Sequence, residues 1–160
     1  MLKTDKKRGV ALELKDGTFF LSGVLDEYAD FSSLLSVSEP LKLNLRGIKQ
    51  LNSIGIRNML EFLKKTGSKR IEYYECPSEY VDQINMIPAL LGFGDQKAEV
   101  KSMFIPFECK KCDHAEDMLK TSDDIAKSLD GESTVTEKCP KCGGDMIVYN
   151  DFFFSFLGKV

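Results

Sequence analysis

Two pairs of cysteines, each with two residues between them, are the side chains best placed to do chemistry in this sequence. Cys109 and Cys112 lie in the segment ECKKCDH, and Cys139 and Cys142 lie in the segment KCPKCGGD. A two-residue gap in a tight turn brings two thiolates to one ion, and two such turns complete a tetrahedral shell. The spacing therefore predicts one structural zinc ion held by four thiolates, with no open position for catalysis.

Redox-active thiols and plain buried thiols are the alternatives for these cysteines, and two matched pairs favour a closed metal site over both. His114 is the only histidine. We expect it in solvent or beside the site, because four sulfur atoms already fill the shell. Cys76 stands alone before Pro77, where we expect it to pack at the end of a strand. Gly143 and Gly144 suit the unusual turn that follows the second pair.

The sequence before the cysteines alternates between strand and helix patterns. The segment VALELKDGTFFLSGVLDE predicts two strands joined by an Asp-Gly turn, and the following segments add strands and three helices. The order β-β-α-β-α-β-α-β predicts an α/β fold, a mixed sheet with helices on one face, over residues 9–107. We expect a flexible arm at residues 1–8 and a small zinc ribbon at residues 108–160.

The end of the predicted ribbon is rich in aromatic residues. The segment NDFFFSFL carries four phenylalanines, and we predict that it continues the strand that follows the second cysteine pair. Its rings could pack inside the protein or form a patch for a partner, and both interpretations stay open.

Composition and charge limit the partners. The chain has 160 residues and a net charge of −3, and residues 101–160 hold 8 Lys/Arg against 11 Asp/Glu. Nucleic-acid modules are usually basic, so this charge balance counts against a nucleic-acid partner. No apolar run approaches the roughly 20 residues that cross a bilayer, and no signal-peptide pattern follows the charged N-terminus, so we expect a cytoplasmic protein without membrane insertion. With one histidine and no phosphate-binding glycine loop, we expect no enzyme.

Part of the chain is similar to a known family. Residues 9 to about 100 resemble the STAS domain, the fold of bacterial anti-sigma-factor antagonists and of the cytoplasmic tails of sulfate-type transporters. The resemblance is carried by FFLSGVLDEYADF, LKLNLRGIKQLNSIGIRNMLEFLKKTG and RIEYYECP. The family has Asp-Ser-Ser/Thr-Gly at the start of a helix, where this chain has Asn52, Ser53, Ile54 and Gly55. A STAS-like domain followed by a zinc ribbon is also similar to a group of bacterial proteins.

The resemblance implies a regulatory module that binds a protein partner of the anti-sigma or kinase type. In the antagonists, the hydroxyl residue directly before the glycine accepts a phosphate, and here that position is Ile54. Ser53 keeps a hydroxyl, but it is rotated by about 100° around the helix. The resemblance therefore implies a contact surface at Asn52, Ser53, Ile54, Arg57 and Asn58 that lacks the usual phosphorylation switch.

Three interpretations of Ser53 stay open. Its hydroxyl could cap the helix, a role that Asn52 could also fill. It could be a phosphorylation site, because negative charge is tolerated at the positive end of a helix dipole. It could also join backbone amides of the first turn in binding an anion.

Two further function classes stay open beside the protein-binding module. The first is a nucleic-acid or transcription-associated factor that acts through the ribbon. The second is a sensor of small ligands or anions at the helix start near Ser53. Association of two copies as a homodimer is also open.

Overall fold

The computed structural model describes residues 8–93, 97–130, 135–149 and 152–157. Within these ranges the fold is α/β, as predicted: a mixed sheet with helices precedes an antiparallel four-stranded sheet that carries the four cysteines. The predicted arm at residues 1–8 lies almost wholly outside the described residues. Among the helices of the described part, none has the length and apolar character needed to span a membrane.

Strands and α-helices follow one another along the described residues. In chain order they are β1 (Val10–Lys15), β2 (Thr18–Leu25), β3 (Leu41–Leu51), α1 (Ser53–Thr66), β4 (Ile71–Tyr74), α2 (Ser78–Met86), β5 (Glu99–Val100), β6 (Ser102–Cys109), β7 (Ala115–Thr121), α3 (Ser122–Asp130), β8 (Thr136–Lys138) and β9 (Asp145–Val148). Short 3₁₀ helices lie at Ser32–Ser36, Pro88–Leu91 and Ser155–Leu157.

The described residues divide into two compact units. The first comprises the residues up to Tyr74 together with Ala89–Glu99, and the second comprises Glu75–Pro88 and the residues from Val100 onward. This division differs from the predicted boundary after residue 107, because β6 pairs with β7 and β9. The segment AEVKSMFIPFEC, which is the last strand of the predicted order, is accordingly divided into β5 in the first sheet and β6 in the second.

The first unit is built on a five-stranded sheet in the order β1-β2-β3-β4-β5. β1 runs antiparallel to β2, while β2, β3 and β4 run parallel to one another. α1 is amphipathic, and its apolar stripe includes the fully buried Met59 and Leu63. These side chains form the core with Leu43 and Leu45 of β3, which are also fully buried.

The connection from β2 to β3 contains a 3₁₀ helix at Ser32–Ser36 where we predicted an α-helical segment. Phe31 and Leu34 are both buried, and their spacing matches the three residues per turn of a 3₁₀ helix. The ring of Phe31 packs on Phe62 of α1, with 5.5 Å between the ring centroids. This contact places the connection on the same side of the sheet as α1.

The hairpin between β1 and β2 forms as predicted. Asp16 and Gly17 both have positive φ, at 50° and 76°, which suits a two-residue hairpin turn. The period of two along β1 would place Leu14 on the same face as Val10 and Leu12, but Leu14 is 61% exposed. Leu14 lies at the turn end of an edge strand, where the helices do not cover it.

The second unit is built on an antiparallel sheet in the order β7-β6-β9-β8. Along β6, the alternate residues Met103, Ile105 and Phe107 are buried, as the period of two in a strand requires. Cys76 adds a parallel bridge opposite Met103, so the chain enters α2 from the edge of this sheet. Between the two cysteine pairs, the described residues form β7, α3 and β8.

The phenylalanine-rich segment does not extend the last strand. β9 ends at Val148, and residues 152–157 form a turn followed by a 3₁₀ helix. Phe153 and Phe154 are buried, whereas Phe152 is 69% exposed. The side chain of Asn85 in α2 donates to the Phe153 carbonyl at 2.9 Å and accepts from the Phe156 amide at 2.9 Å. Two of the four rings therefore serve packing within the second unit.

Candidate functional site

The structure brings the two cysteine pairs together in the second unit. The sulfur atoms of Cys109, Cys112, Cys139 and Cys142 all lie within 4.8 Å of one another. The Sγ–Sγ distance is 3.5 Å between Cys109 and Cys142 and 3.6 Å between Cys112 and Cys139. A tetrahedral zinc ion with Zn–S bonds of about 2.3 Å requires sulfur atoms about 3.8 Å apart. The four thiols therefore form a cluster that could hold a metal ion such as zinc.

Each cysteine pair occupies the turn of a hairpin, and the two turns are built alike. In the β6–β7 turn, the Cys109 amide donates to the His114 carbonyl at 2.8 Å, and the Asp113 amide donates to the Cys109 carbonyl at 3.1 Å. In the β8–β9 turn, the Cys139 amide donates to the Gly144 carbonyl at 2.8 Å, and the Gly143 amide donates to the Cys139 carbonyl at 2.9 Å. Backbone hydrogen bonds thus shape both turns.

Residue types after each pair fit this shared geometry. Asp113 and Gly143 both adopt left-handed backbone conformations, with φ of 58° and 69°. Glycine has no steric penalty there, and aspartate is one of the few other residues that tolerate it. Gly144 serves close packing instead, because an added Cβ would lie 3.1 Å from the Lys111 Cβ and 3.2 Å from the Cys142 sulfur.

Backbone amides also bear on the charge of the sulfur atoms. Burial opposes ionisation of Cys109, but hydrogen bonds from the amides of Cys112 and Lys111 lower its pKa to about 7. At Cys112 the His114 amide favours the thiolate, but burial and the neighbouring sulfur atoms outweigh it and raise the pKa to about 12. Sulfur atoms this close resist ionising together unless a cation compensates them. The cluster is therefore suited to a divalent metal.

The two residues that we expected outside the ligand set lie outside the four-sulfur cluster. His114 is mostly buried, and its Nε2 lies 3.5 Å from the Glu116 carboxylate. Cys76 is fully buried in its bridge to β6, and burial raises the pKa of its thiol. Cys76 is therefore an inert packing residue, in agreement with the prediction.

The second candidate site is the start of α1, in the first unit. The helix begins at Ser53, and its cap is Asn52, whose Oδ1 accepts a hydrogen bond from the Gly55 amide at 2.8 Å. The interpretation of Ser53 as the cap is therefore wrong, and the alternative of Asn52 is confirmed. Ser53 is the first helical residue and is exposed.

The inner side of the start of α1 is hydrogen-bonded to the end of β2 and to the residues that follow it. The Asn52 amide donates to the Leu25 carbonyl at 3.0 Å. The Asn58 side-chain amide lies 3.3–3.4 Å from the carbonyls of Asp26, Glu27 and Ala29. Asn58, which we predicted to contact a partner, is thus half-buried, and its side chain contacts the backbone that follows β2.

The outer side of the same turn is open. Ser53, Ile54 and Arg57 are exposed, and Ile54 exposes 47% of its surface. We call these three residues the helix-entrance surface. These three predicted contact residues are therefore accessible at the start of α1.

The capping assignment leads to a stability prediction. Asn52→Ala should destabilise the first unit by about 1 kcal/mol, because the Gly55 amide loses its acceptor. Ser53→Ala should change stability by about 0.5 kcal/mol or less, because Ser53 is exposed and does not cap. Urea unfolding of both variants measures the difference, and a larger loss for Ser53→Ala would contradict the assignment.

Comparison with protein-family models, with curated proteins and with solved structures finds no match for this chain. The features that bear on function are therefore the four-cysteine cluster and the surfaces of the two units.

Proposed function

We propose that this chain is a non-catalytic regulatory module that binds a protein partner, with one structural zinc ion in its four-cysteine cluster. The proposed partner is an anti-sigma or kinase-type regulator, as the resemblance to STAS antagonists implies. The observation that carries the proposal is the helix-entrance surface. Its exposed Ile54 occupies the position where the antagonists carry a phosphorylated hydroxyl.

The local structure supports binding without the usual switch. Ile54 has no hydroxyl to accept a phosphate, and an exposed apolar side chain gains free energy when a partner covers it. Arg57 lies three residues further along the helix, so the two side chains project from neighbouring positions. Ser53 is exposed and keeps its hydroxyl, so phosphorylation there would add about two negative charges beside Ile54.

The zinc proposal rests on the donor set. Four thiols within 4.8 Å of one another, presented by two hairpin turns, suit a closed structural site. Such an ion would hold the two hairpin turns of the second unit together. It would supply no catalysis, because four sulfur ligands leave no position for a substrate.

The alternative of an anion sensor at the helix start has less support. The Gly55 amide is already occupied by the Asn52 cap. The Asn52 side-chain nitrogen lies 3.5 Å from the Glu27 carboxylate, so a negative charge already stands beside the helix end. An incoming anion would be repelled by Glu27 and would have to displace the cap.

Partner capture tests the proposed function. The full chain should capture a regulator from a bacterial lysate, and titration with the purified regulator should show at least tenfold weaker binding for Arg57→Glu. Lys15→Glu is the matched control, because Lys15 is exposed in β1 and lies outside the helix-entrance surface. Equal binding by wild type and Arg57→Glu would refute the helix-entrance surface as the interface.

A further inference from the structure

A groove of about 390 Å³ lies on the second unit, where β6, β7 and the end of β9 meet. Its apolar lining comes from Pro106, Phe107, Ala115 and Tyr149. This groove was not predicted from the sequence, because the strand β7, which forms part of it, was not anticipated. The segment AEDMLKT does not alternate between apolar and polar residues, so its sequence gave no periodic signal for a strand.

Proline in β6 accounts for the end of β9 beside the groove. The Tyr149 amide donates to the Pro106 carbonyl at 3.1 Å. Proline has no N–H, so Pro106 cannot return the second hydrogen bond that a regular antiparallel pair would make. β9 therefore ends at Val148, and Tyr149 leaves the sheet with 77% of its surface exposed. A large aromatic ring is thus left uncovered at the groove.

The polar lining of the groove is acidic. Glu108, Glu116 and Asp117 contribute carboxylates, and none of the described residues that line the groove is a lysine or arginine. Further acidic side chains lie close by on α2: burial raises the pKa of Asp82, and the neighbouring carboxylates of Glu79 and Asp117 raise it further. Ser78 donates to Asp117 at 2.7 Å, and His114 lies beside Glu116, so part of this acidic rim is held in place.

We propose that this groove binds a short segment of a protein partner in which large apolar side chains are flanked by lysine or arginine. The apolar floor and the Tyr149 ring would bury the apolar side chains, and the carboxylates would attract the basic flanks. The surface is distinct from the helix-entrance surface and gives the second unit a contact of its own.

Peptide titration of the zinc-loaded full chain tests this proposal. The probe is a fluorescent peptide of sequence Lys-Lys-Leu-Phe-Lys-Lys, compared with Glu-Glu-Leu-Phe-Glu-Glu and Lys-Lys-Gly-Ser-Lys-Lys. We expect the first peptide to bind at least tenfold more tightly than either of the others, with affinity that falls as salt is raised. Equal binding of the acidic peptide, or of the peptide without apolar residues, would overturn the proposal.

Substitutions inside and outside the groove test where the peptide binds. Tyr149→Ser and Glu108→Lys should each weaken the first peptide at least tenfold, whereas Phe152→Ser should not. Phe152 is the matched control, because it is similarly exposed in the same unit but does not line the groove. Arg57→Glu should leave peptide binding unchanged, so this test can fail independently of the proposed function. Unaffected binding by Tyr149→Ser would refute the groove as the site.

Amide chemical shifts of the wild-type chain give a measurement that does not depend on any variant folding. The peptide should shift the amides of Glu108, Ala115 and Tyr149 more than those of the first unit. Shifts confined to other residues would overturn the assignment.

Discussion

Replacement of Cys139 by serine is expected to abolish zinc binding and to unfold the second unit. Structural zinc sites contribute about 10–16 kcal/mol of apparent binding free energy, which is comparable to the whole stability of a domain. The two turns that hold the cysteines belong to separate hairpins, and the ion would join them at one end of the sheet. Loss of one thiolate opens the shell and removes much of that free energy.

Metal analysis and spectroscopy measure this outcome. The wild-type chain should contain about one zinc per chain, and Cys139→Ser should contain little or none and should lose β-sheet signal from the second unit. Cys76→Ala is the matched control, because Cys76 is buried away from the four-sulfur cluster and should leave the zinc content unchanged. A wild-type chain without metal, or a folded and metal-bound Cys139→Ser, would contradict the structural zinc.

The cysteine cluster could be predicted from sequence because its chemistry is local. A Cys-x-x-Cys turn brings its own two ligands together, so only the meeting of two turns depended on the fold. The same is true of the Asp16-Gly17 hairpin and of α1, whose apolar period and cap lie within about fifteen residues. The structure has the hairpin and α1 at the positions that the sequence pattern predicted.

The features that were predicted wrongly depend on contacts with residues far away in the sequence. The segment AEVKSMFIPFEC looks like one strand, yet β5 joins the first sheet and β6 pairs with β7 and β9. The change of sheet depends on which strands each part of the segment meets, and those strands lie far away in the sequence. The phenylalanine segment was likewise taken for a strand, since its rings gave no hint that Asn85 would bind the backbone of Phe153 and Phe156.

Gly55 lies at the start of α1 as the sequence motif predicted, but the structure gives a different physical reason for a glycine at this position. In the sequence it completes the motif at the start of α1 and invites an explanation by phosphate or anion binding. In the structure a side chain at this position would collide with the end of β2: an added Cβ would overlap the Leu25 carbonyl and lie 2.6 Å from the Asp26 amide nitrogen. The glycine therefore permits a close approach between helix and strand.

Gly55→Ala is accordingly expected to destabilise the first unit by about 3 kcal/mol or more, because the overlapping atoms belong to backbone on both sides and cannot move aside independently. Helix propensity acts in the opposite direction and favours alanine by about 1 kcal/mol, so the sign of the change decides between the two effects. Urea unfolding gives the difference, with the exposed Ser53→Ala as the neighbouring control. A Gly55→Ala variant that is as stable as wild type, or more stable, would show that α1 does not approach β2 this closely. The proposal would then lose the fixed helix start on which the helix-entrance surface depends.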